Sequence, residues 1–315
     1  MGKEAITKGK SLITGLGMKQ KTMQKSFAQK NHPWKKNAIC FNQLKPIMKP
    51  VKTTLDKIQK LRTDYLHSLP QFQELFIELM IGDAEFYSLQ TRTQPMGYAI
   101  KTRGGVLLEF YIAGPYIPES KRFFRQLISD LSITDIYCKS FDSLLLCNCL
   151  ESLLPYSVIG ILYRDYAHPL IESDPGISMR RACQSSVALL DAQDDSIKEL
   201  FETREQLTGF IENEHVFEFY RGHALVGCGM AVRTIPGWNY YDLGVWVQPS
   251  ERGNGIGAQI LLSLRDFALK NNMKASCGCA ADNHASQRAI EKSGYVSKYR
   301  MIHFETRETI KHTNR

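Results

Sequence analysis

The sequence predicts an α/β protein with mixed sheets, in which two successive domains share one order of strands and helices. The first observation is that order: strand, loop, helix, strand, helix, strand, beginning near Val106 in one half and near Tyr240 in the other. A repeated order of elements indicates a duplicated fold. The second observation is that 315 residues with 43% apolar content suffice for two ordinary domains. The third is a glycine-rich loop that joins a strand to an amphipathic helix in the second half.

The first half shows apolar spacing typical of helices, then alternating strands, then a mixture of the two. We predict helices over 54–66, 70–80, 119–131 and 141–153, and strands over 85–91, 96–101, 106–112, 133–138 and 158–164. Residues 167–176 are rich in turn formers and are predicted to be a linker.

The second half continues with a similar pattern. We predict strands near 179–189 and over 216–220, 224–233, 240–247, 275–281 and 295–305, with helical segments over 195–212, 256–271 and 283–293. The predicted domains are 53–166 and 177–308, followed by a C-terminal tail, 309–315.

The positive charge of the chain is concentrated at its N-terminus. The net charge is +8, yet residues 1–52 alone contain twelve Lys and one acid, Glu4. Such a Lys-rich, aromatic-poor segment is typical of a disordered, solvated tail. Lys clusters also bind phosphate groups without sequence specificity, so the tail is the part of the chain from which we expect any contact with nucleic acid.

Composition also bears on compartment and on metals. We expect a cytoplasmic protein, since no apolar run is long enough for a membrane span and no secretory signal pattern is present. The eight cysteines include two C-x-C pairs but lack the spacing of a zinc site. We therefore expect reduced, buried thiols and no metal.

The loop Arg252-Gly253-Asn254-Gly255-Ile256-Gly257 is the clearest chemical signal. Helix N-termini carry unsatisfied N–H groups, and glycines let the backbone approach a phosphate closely. These features favour a phosphate-binding loop, but two other interpretations of the loop are open. The loop could be a tight turn that feeds a helix. Its letters also fit the dinucleotide fingerprint, but only 57 residues follow Ala258, too few for the βαβ array to which that fingerprint belongs.

Two motifs together resemble the GNAT acetyltransferases. The segment from Val247 through Pro249 to Gly257 looks like their motif A, and the segment from Asn283 to Tyr295 resembles their motif B. The resemblance covers about residues 177–308. It implies the acyl-CoA N-acyltransferase fold, a mixed sheet whose fourth and fifth strands separate to admit coenzyme A, and it implies acetyl-CoA as co-substrate.

The same resemblance implies positions for the coenzyme. The strand end would contact the pantetheine arm through its backbone, the loop amides would hold the pyrophosphate, and Asn283 would contact the coenzyme from the other side. The implied coenzyme residues are Val245, Trp246, Val247, Arg252, Gly253, Asn254, Gly255, Ile256, Gly257 and Asn283. A helix N-cap is an equally good role for Asn283.

Amine acetylation requires a base, because a Lys-like amine is free in roughly one molecule in two thousand at neutral pH. Asp242 is our candidate base, with Glu218 as the alternative. Many family members carry a Tyr acid at the position of Ile290, so that donor is missing. Ser286 is the candidate that would hydrogen-bond the leaving thiolate, as in ribosomal-protein acetyltransferase-like relatives; helix packing is its alternative role. Residues 236–241 are candidates for lining the acceptor pocket.

The first half is expected to be a degenerate domain of the same family. After the strand that ends at Ile112, its loop contains Pro115 and Pro118, which donate no N–H groups to a phosphate. The sequence thus predicts a tandem N-acetyltransferase that acts on a small-molecule or peptide amine. The alternatives are a CoA-sensing protein without turnover and a nucleic-acid-associated protein that uses its tail.

Overall fold

The computed structural model describes residues 48–91 and 94–306. Most of the predicted basic tail and all of the predicted C-terminal tail lie outside the described residues.

In the first half the described elements alternate much as the sequence predicts. They are β1 (Lys49–Thr53), α1 (Leu55–Ser68), α2 (Leu75–Ile81), β2 (Glu85–Gln90), β3 (Pro95–Lys101), β4 (Val106–Ile112), a 3₁₀ helix (Gly114–Glu119), α3 (Ser120–Asp130), β5 (Asp135–Lys139), α4 (Ser143–Glu151) and β6 (Tyr156–Tyr166).

The second half has the corresponding order. Its elements are β7 (Ile177–Arg181), α5 (Ser186–Asp191), a 3₁₀ turn (Asp195–Glu199), α6 (Arg204–Glu212), β8 (Val216–Arg221), β9 (Ala224–Val232), β10 (Tyr240–Val247), a 3₁₀ turn (Pro249–Glu251), α7 (Ile256–Lys270), β11 (Lys274–Ala280), α8 (His284–Lys292) and β12 (Tyr295–Glu305).

Three predicted segments differ from the structure. Residues 49–52, assigned to the tail, belong to β1, which pairs antiparallel with β2. Lysines are well suited to such an edge strand because they discourage further pairing. The strand predicted near 179–189 ends at Arg181 and is followed by α5. The helix predicted from residue 70 begins at Leu75, because Glu74 is in an extended conformation at its N-cap.

All twelve described strands form one sheet, in the order β1-β2-β3-β4-β5-β12-β6-β11-β10-β9-β8-β7. The closing strands of the two halves are exchanged. The last strand of the first half, β6, pairs with β11, whereas β12 from the second half pairs with β5. The predicted boundary between the domains therefore divides the sequence but not the sheet.

Helices cover both faces of each half. In the second half α7 and α8 pack on one face, around Ile260, Leu264 and Ile290, and α5 and α6 pack on the other, around Leu190 and Leu207. In the first half α3 and α4 share a core with Phe110, while α1 and α2 pack on the opposite face with Tyr98. This three-layer arrangement places the sheet between helices on both faces and leaves the strand ends open for a site.

Candidate active site

The candidate site of the second half begins where two parallel strands separate. β10 and β11 pair from Tyr240↔Lys274 to Leu243↔Cys277, and the pairing ends there. Beyond that point β10 stays paired with β9 up to Val247, while β11 stays paired with β6 up to Ala280. Because each strand is held on its outer side only, a gap opens between them toward their C-terminal ends.

The glycine loop lies at the mouth of this gap. Gly253 and Gly255 have φ of 83° and 82°, a left-handed conformation that other residues adopt at a cost of about 1–2 kcal/mol. A Cβ at either glycine would meet no atom within 4 Å, so the loop presents bare backbone to open space. Gly255 is the N-cap of α7 and has no side chain to cap it, which leaves the first amides of the helix available for an anion.

Arg252 braces this loop. Its Nε donates to the carbonyl of Val247 at 3.1 Å, and its guanidinium also contacts the hydroxyl of Ser196. Trp246 donates from Nε1 to the same hydroxyl at 2.9 Å, with its ring buried against α5 and α6. The side chains of Arg252 and Trp246 thus fix the end of β10 and the loop to the 3₁₀ turn at 195–199.

The remaining predicted coenzyme residues have different surroundings. Val245 and Val247 pack on the face of α7 and α8, Ile256 is buried in the same core, and Asn254 is exposed. Gly257 lies where α7, α8 and the strand end converge: a Cβ there would be 3.4 Å from Cβ of Ala289 and 3.5 Å from Cγ2 of Val247. The absence of a side chain at Gly257 therefore lets the first turn of α7 lie close to α8 and to the end of β10.

Helix α8 forms the other wall. Asn283 is its N-cap and accepts a hydrogen bond from the amide of Ser286 at 3.0 Å, so the capping role is present in the structure. Ser286 is half-buried on the first turn. Ile290 is buried in the core with α7, which explains why a polar side chain is absent at the position where the family resemblance would place Tyr.

Asp242 lies at the apex of the gap, one residue before the last β10–β11 pair. Only 6% of its surface is exposed, and its Oδ2 accepts a hydrogen bond from the amide of Leu75 at 2.9 Å. Burial raises the pKa of the Asp242 carboxyl, and the neighbouring Arg164 guanidinium opposes that rise. The alternative carboxylate, Glu218, is buried on β8, and β9 separates it from β10.

Residues of the first half complete this apex, and sequence reasoning missed them. Arg164 on β6 is fully buried, forms an ion pair with Glu74 and donates to the carbonyl of Cys277 at 3.1 Å. Glu74 lies over the separated part of β11, where a Cβ on Gly278 would be 3.4 Å from its Oε2. No local pattern distinguishes these residues, because Arg164 reaches the site on the exchanged strand β6 and Glu74 reaches it from the N-cap of α2.

The segment considered for the acceptor pocket, residues 236–241, leads into the start of β10. Trp238 stacks on His67, and Tyr240 stacks on Phe72 with ring centroids 3.9 Å apart. Tyr240 also donates its hydroxyl to the carbonyl of Gln73 at 3.1 Å. These aromatic side chains therefore join the two halves at the start of β10.

In the first half the corresponding gap is filled by the protein itself. β4 and β5 pair only at Val106↔Asp135 and Leu107↔Ile136 before they separate. Across the opening, the side-chain amide of Gln73 donates to Glu109 on β4 at 2.7 Å and accepts from Lys139 on β5 at 2.5 Å.

Glu109 also receives two hydrogen bonds from Arg62 and is completely buried. The loop that follows β4 is a 3₁₀ helix with Pro115 and Pro118. The first half thus has the separated strands without the exposed amide cradle.

Two features are absent from residues 48–91 and 94–306, a membrane-spanning helix and a cluster of metal ligands. No helix in that part of the chain is long and apolar enough to span a bilayer. The same residues contain no group of three or more His, Cys, Asp or Glu side chains suited to holding a metal ion.

Comparisons with known proteins agree with this architecture. An acetyltransferase (GNAT) domain model matches residues 54–166, and an acetyltransferase (GNAT) family model matches residues 184–295. A search of curated proteins finds no significant match.

Solved structures share the fold over most of the chain. An acetyltransferase of the GNAT family from Colwellia psychrerythraea has 20% identity and a TM-score of 0.72, with 82% of this chain and 99% of that chain covered. A tandem GNAT protein from the clavulanic acid biosynthesis pathway has 12% identity and a TM-score of 0.57, with 83% and 98% covered.

A GCN5-related N-acetyltransferase from Sphaerobacter thermophilus has 13% identity and a TM-score of 0.55, with 84% and 96% covered. Both halves thus match GNAT models, and the separated strands are present in each. The chain belongs to the GNAT acetyltransferase family and carries two of its domains in tandem.

Proposed function

We propose that the second half transfers an acetyl group from acetyl-CoA to a primary amine, with both substrates bound at once. Family membership supports acyl transfer. One observation carries the finer proposal: the gap between β10 and β11 opens beside a helix N-terminus whose two preceding glycines leave the backbone uncovered. Such a combination suits a long, narrow ligand that ends in phosphates.

The coenzyme would be held largely by backbone. The unpaired edge of Val245–Val247 offers peptide groups to the pantetheine arm, and the amides from Arg252 to Gly257 offer donors to the pyrophosphate. Asn283 caps the first turn of α8 and thereby fixes this helix, the second wall of the gap, relative to α7. Helix dipole and amide donors together favour the anionic end of the ligand at α7.

In the reaction the amine nitrogen forms a bond to the thioester carbonyl carbon, and the bond from that carbon to sulfur breaks. The amine loses one proton, and the thiolate takes up one. Asp242 is the proposed base, directly or through water. Burial raises its pKa, which makes it a stronger proton acceptor. The amide of Leu75 and Arg164 fix the position of its side chain.

The leaving group needs less assistance. A thiol with a pKa near ~8.5 leaves readily as a thiolate, so the reaction tolerates the absence of a strong acid. Ser286 is the proposed hydrogen-bond donor to that thiolate, since it is half-buried on the first turn of α8.

Turnover with a panel of amines tests the proposal. The full chain would be incubated with acetyl-CoA and free amino acids, polyamines, amino sugars or short peptides, and N-acetylated products would be detected by mass spectrometry. We expect product with at least one class of primary amine and none with tertiary amines. Binding of acetyl-CoA without product from any amine would contradict catalysis.

That result would favour a second candidate, a CoA-sensing protein. The specific observation in its favour is Ile290, which is buried in the core at the position of the usual acid. A sensor binds the coenzyme and leaves the thioester intact, so the amount of acetyl-CoA remaining after prolonged incubation separates the two functions.

A further inference from the structure

A groove of about 330 Å³ lies at the seam between the two halves. Its floor consists of the exchanged strands β6 and β12, and its wall is the end of α8. The lining residues are Ile161, Tyr163, Glu291, Tyr295, Val296, Ser297 and Arg300. None of them belongs to the proposed acetyl-transfer site, and β11 separates this part of the sheet from the gap beside β10. Its volume falls in the range of small-molecule sites.

The groove holds two opposite charges that do not pair with each other. Glu291, an exposed residue on α8, accepts a hydrogen bond from the hydroxyl of Tyr163 at 3.2 Å. Arg300 donates from Nη1 to the hydroxyl of Ser297 at 2.7 Å and to the carbonyl of Tyr299 at 2.8 Å. Within the described part of the chain, the ion pairs include neither Glu291 nor Arg300. Among residues 48–91 and 94–306, neither charge thus has a counter-ion within ion-pair distance.

The strand geometry supports a site at this position. The pairing of β12 with β6 shifts register between Val296 and Ser297 and again between Ser297 and Tyr299. Register shifts of this kind re-aim side chains and are frequent beside binding sites. Here the neighbouring residues Val296 and Ser297 both line the groove, although regular pleating would turn them to opposite faces.

The remaining walls are apolar or aromatic. Ile161 and Val296 provide an accessible apolar surface for a hydrocarbon side chain, and the buried ring of Tyr163 lies beneath it. Burial raises the pKa of Tyr163, so its hydroxyl remains a donor to Glu291 at neutral pH. A ligand that satisfies all of these groups carries an ammonium, a carboxylate and an apolar side chain.

We propose that this groove binds a free α-amino acid with an apolar side chain, its ammonium at Glu291 and its carboxylate at Arg300. The proposal does not depend on acetyl transfer in the second half. It assigns a ligand site to the seam that exists only because β6 and β12 have exchanged places. Carboxylate recognition by Arg and ammonium recognition by Glu are charge-assisted and directional.

Calorimetry on the full chain with L-leucine tests this proposal. We expect a dissociation constant of about 1 mM or tighter. Two analogues each lack one charge: 3-methylbutylamine has no carboxylate, and 4-methylpentanoate has no ammonium. Each should bind about tenfold more weakly than L-leucine, because one charge-assisted contact is lost. If either analogue binds as tightly as L-leucine, the proposal that the ligand carries both charges is overturned. If L-leucine does not bind at a concentration about ten times the expected dissociation constant, the proposed site is overturned.

Variants connect the binding to the groove. Glu291→Gln should weaken L-leucine but leave 4-methylpentanoate unchanged, and Arg300→Gln should weaken L-leucine but leave 3-methylbutylamine unchanged. Lys298→Gln is the matched control: this residue is on the same strand, pairs with Asp165 and does not line the groove. Arg300 also donates a hydrogen bond to Ser297, so circular dichroism must show that the Arg300→Gln variant keeps its fold. If that variant is misfolded, Glu291→Gln still tests the site independently.

A competition measurement separates this groove from the transfer site. The dissociation constant of L-leucine should be the same with and without saturating acetyl-CoA, because the two sites share no residue. Displacement of L-leucine by acetyl-CoA, or equal effects of the groove variants and the control, would overturn the assignment.

Discussion

The assignment of the phosphate loop predicts that Gly255→Glu weakens coenzyme binding while the fold survives. Gly255 has φ of 82°, and a Cβ there would meet no atom within 4 Å. The cost to folding is therefore the left-handed strain alone, about 1–2 kcal/mol. The new carboxylate, however, would stand against the pyrophosphate. Two like charges about 6 Å apart at an effective dielectric of about 20 repel by roughly 3 kcal/mol, which corresponds to about a hundredfold loss of affinity.

A matched control separates these two effects. Gly222 also has positive φ, 59°, and open space around its Cβ, but it lies in the turn between β8 and β9. Gly222→Glu should cost similar stability, measured by urea unfolding, and leave the affinity for acetyl-CoA unchanged, measured by calorimetry. Solvent screening at the half-exposed loop reduces the expected loss for Gly255→Glu to between about tenfold and a hundredfold. Unchanged affinity in a folded Gly255→Glu variant, or an equal loss in Gly222→Glu, would refute the loop assignment.

Further predictions address the base, the first half and the seam. Asp242→Asn should lower kcat/KM most near neutral pH and least at roughly pH 9–10, where the amine supplies its own free base; an equal loss at every pH would indicate that Asp242 only positions Leu75. Calorimetry should give one acetyl-CoA per chain, because the amide of Gln73 closes the gap of the first half; a stoichiometry of two would contradict that closure. Residues 177–315 expressed alone should aggregate or lose activity because β11 and β12 then lack β6, whereas a well-behaved, active fragment would show that the exchange is dispensable. Arg164→Met should destabilise the chain by about 3–5 kcal/mol in urea unfolding, since Glu74 loses its buried partner, and adding Glu74→Gln should restore part of the loss.

The family and most elements could be predicted because their signals are local. Strand β10 and the helices that follow it were identified from apolar periodicity, and the glycine loop was identified from residues that a left-handed backbone requires. The two motifs led to the GNAT family, which the family models confirm. The roles of Asp242, Ser286 and the loop residues stay predictions.

The sequence by itself determined which segments form strands and helices, and which loop can hold a phosphate, because periodicity and backbone freedom are properties of neighbouring residues. Only the tertiary structure decided which strand lies beside which. Exchange of β6 and β12 brings Arg164 to the second half and creates the groove lined by Glu291 and Arg300, and packing of α2 against the second half brings the amide of Leu75 to Asp242. The pairings of the exchanged strands join residues more than a hundred positions apart, and either closing strand presents the same backbone edge to either half. The choice is therefore made by packing across the whole sheet, which no local pattern records.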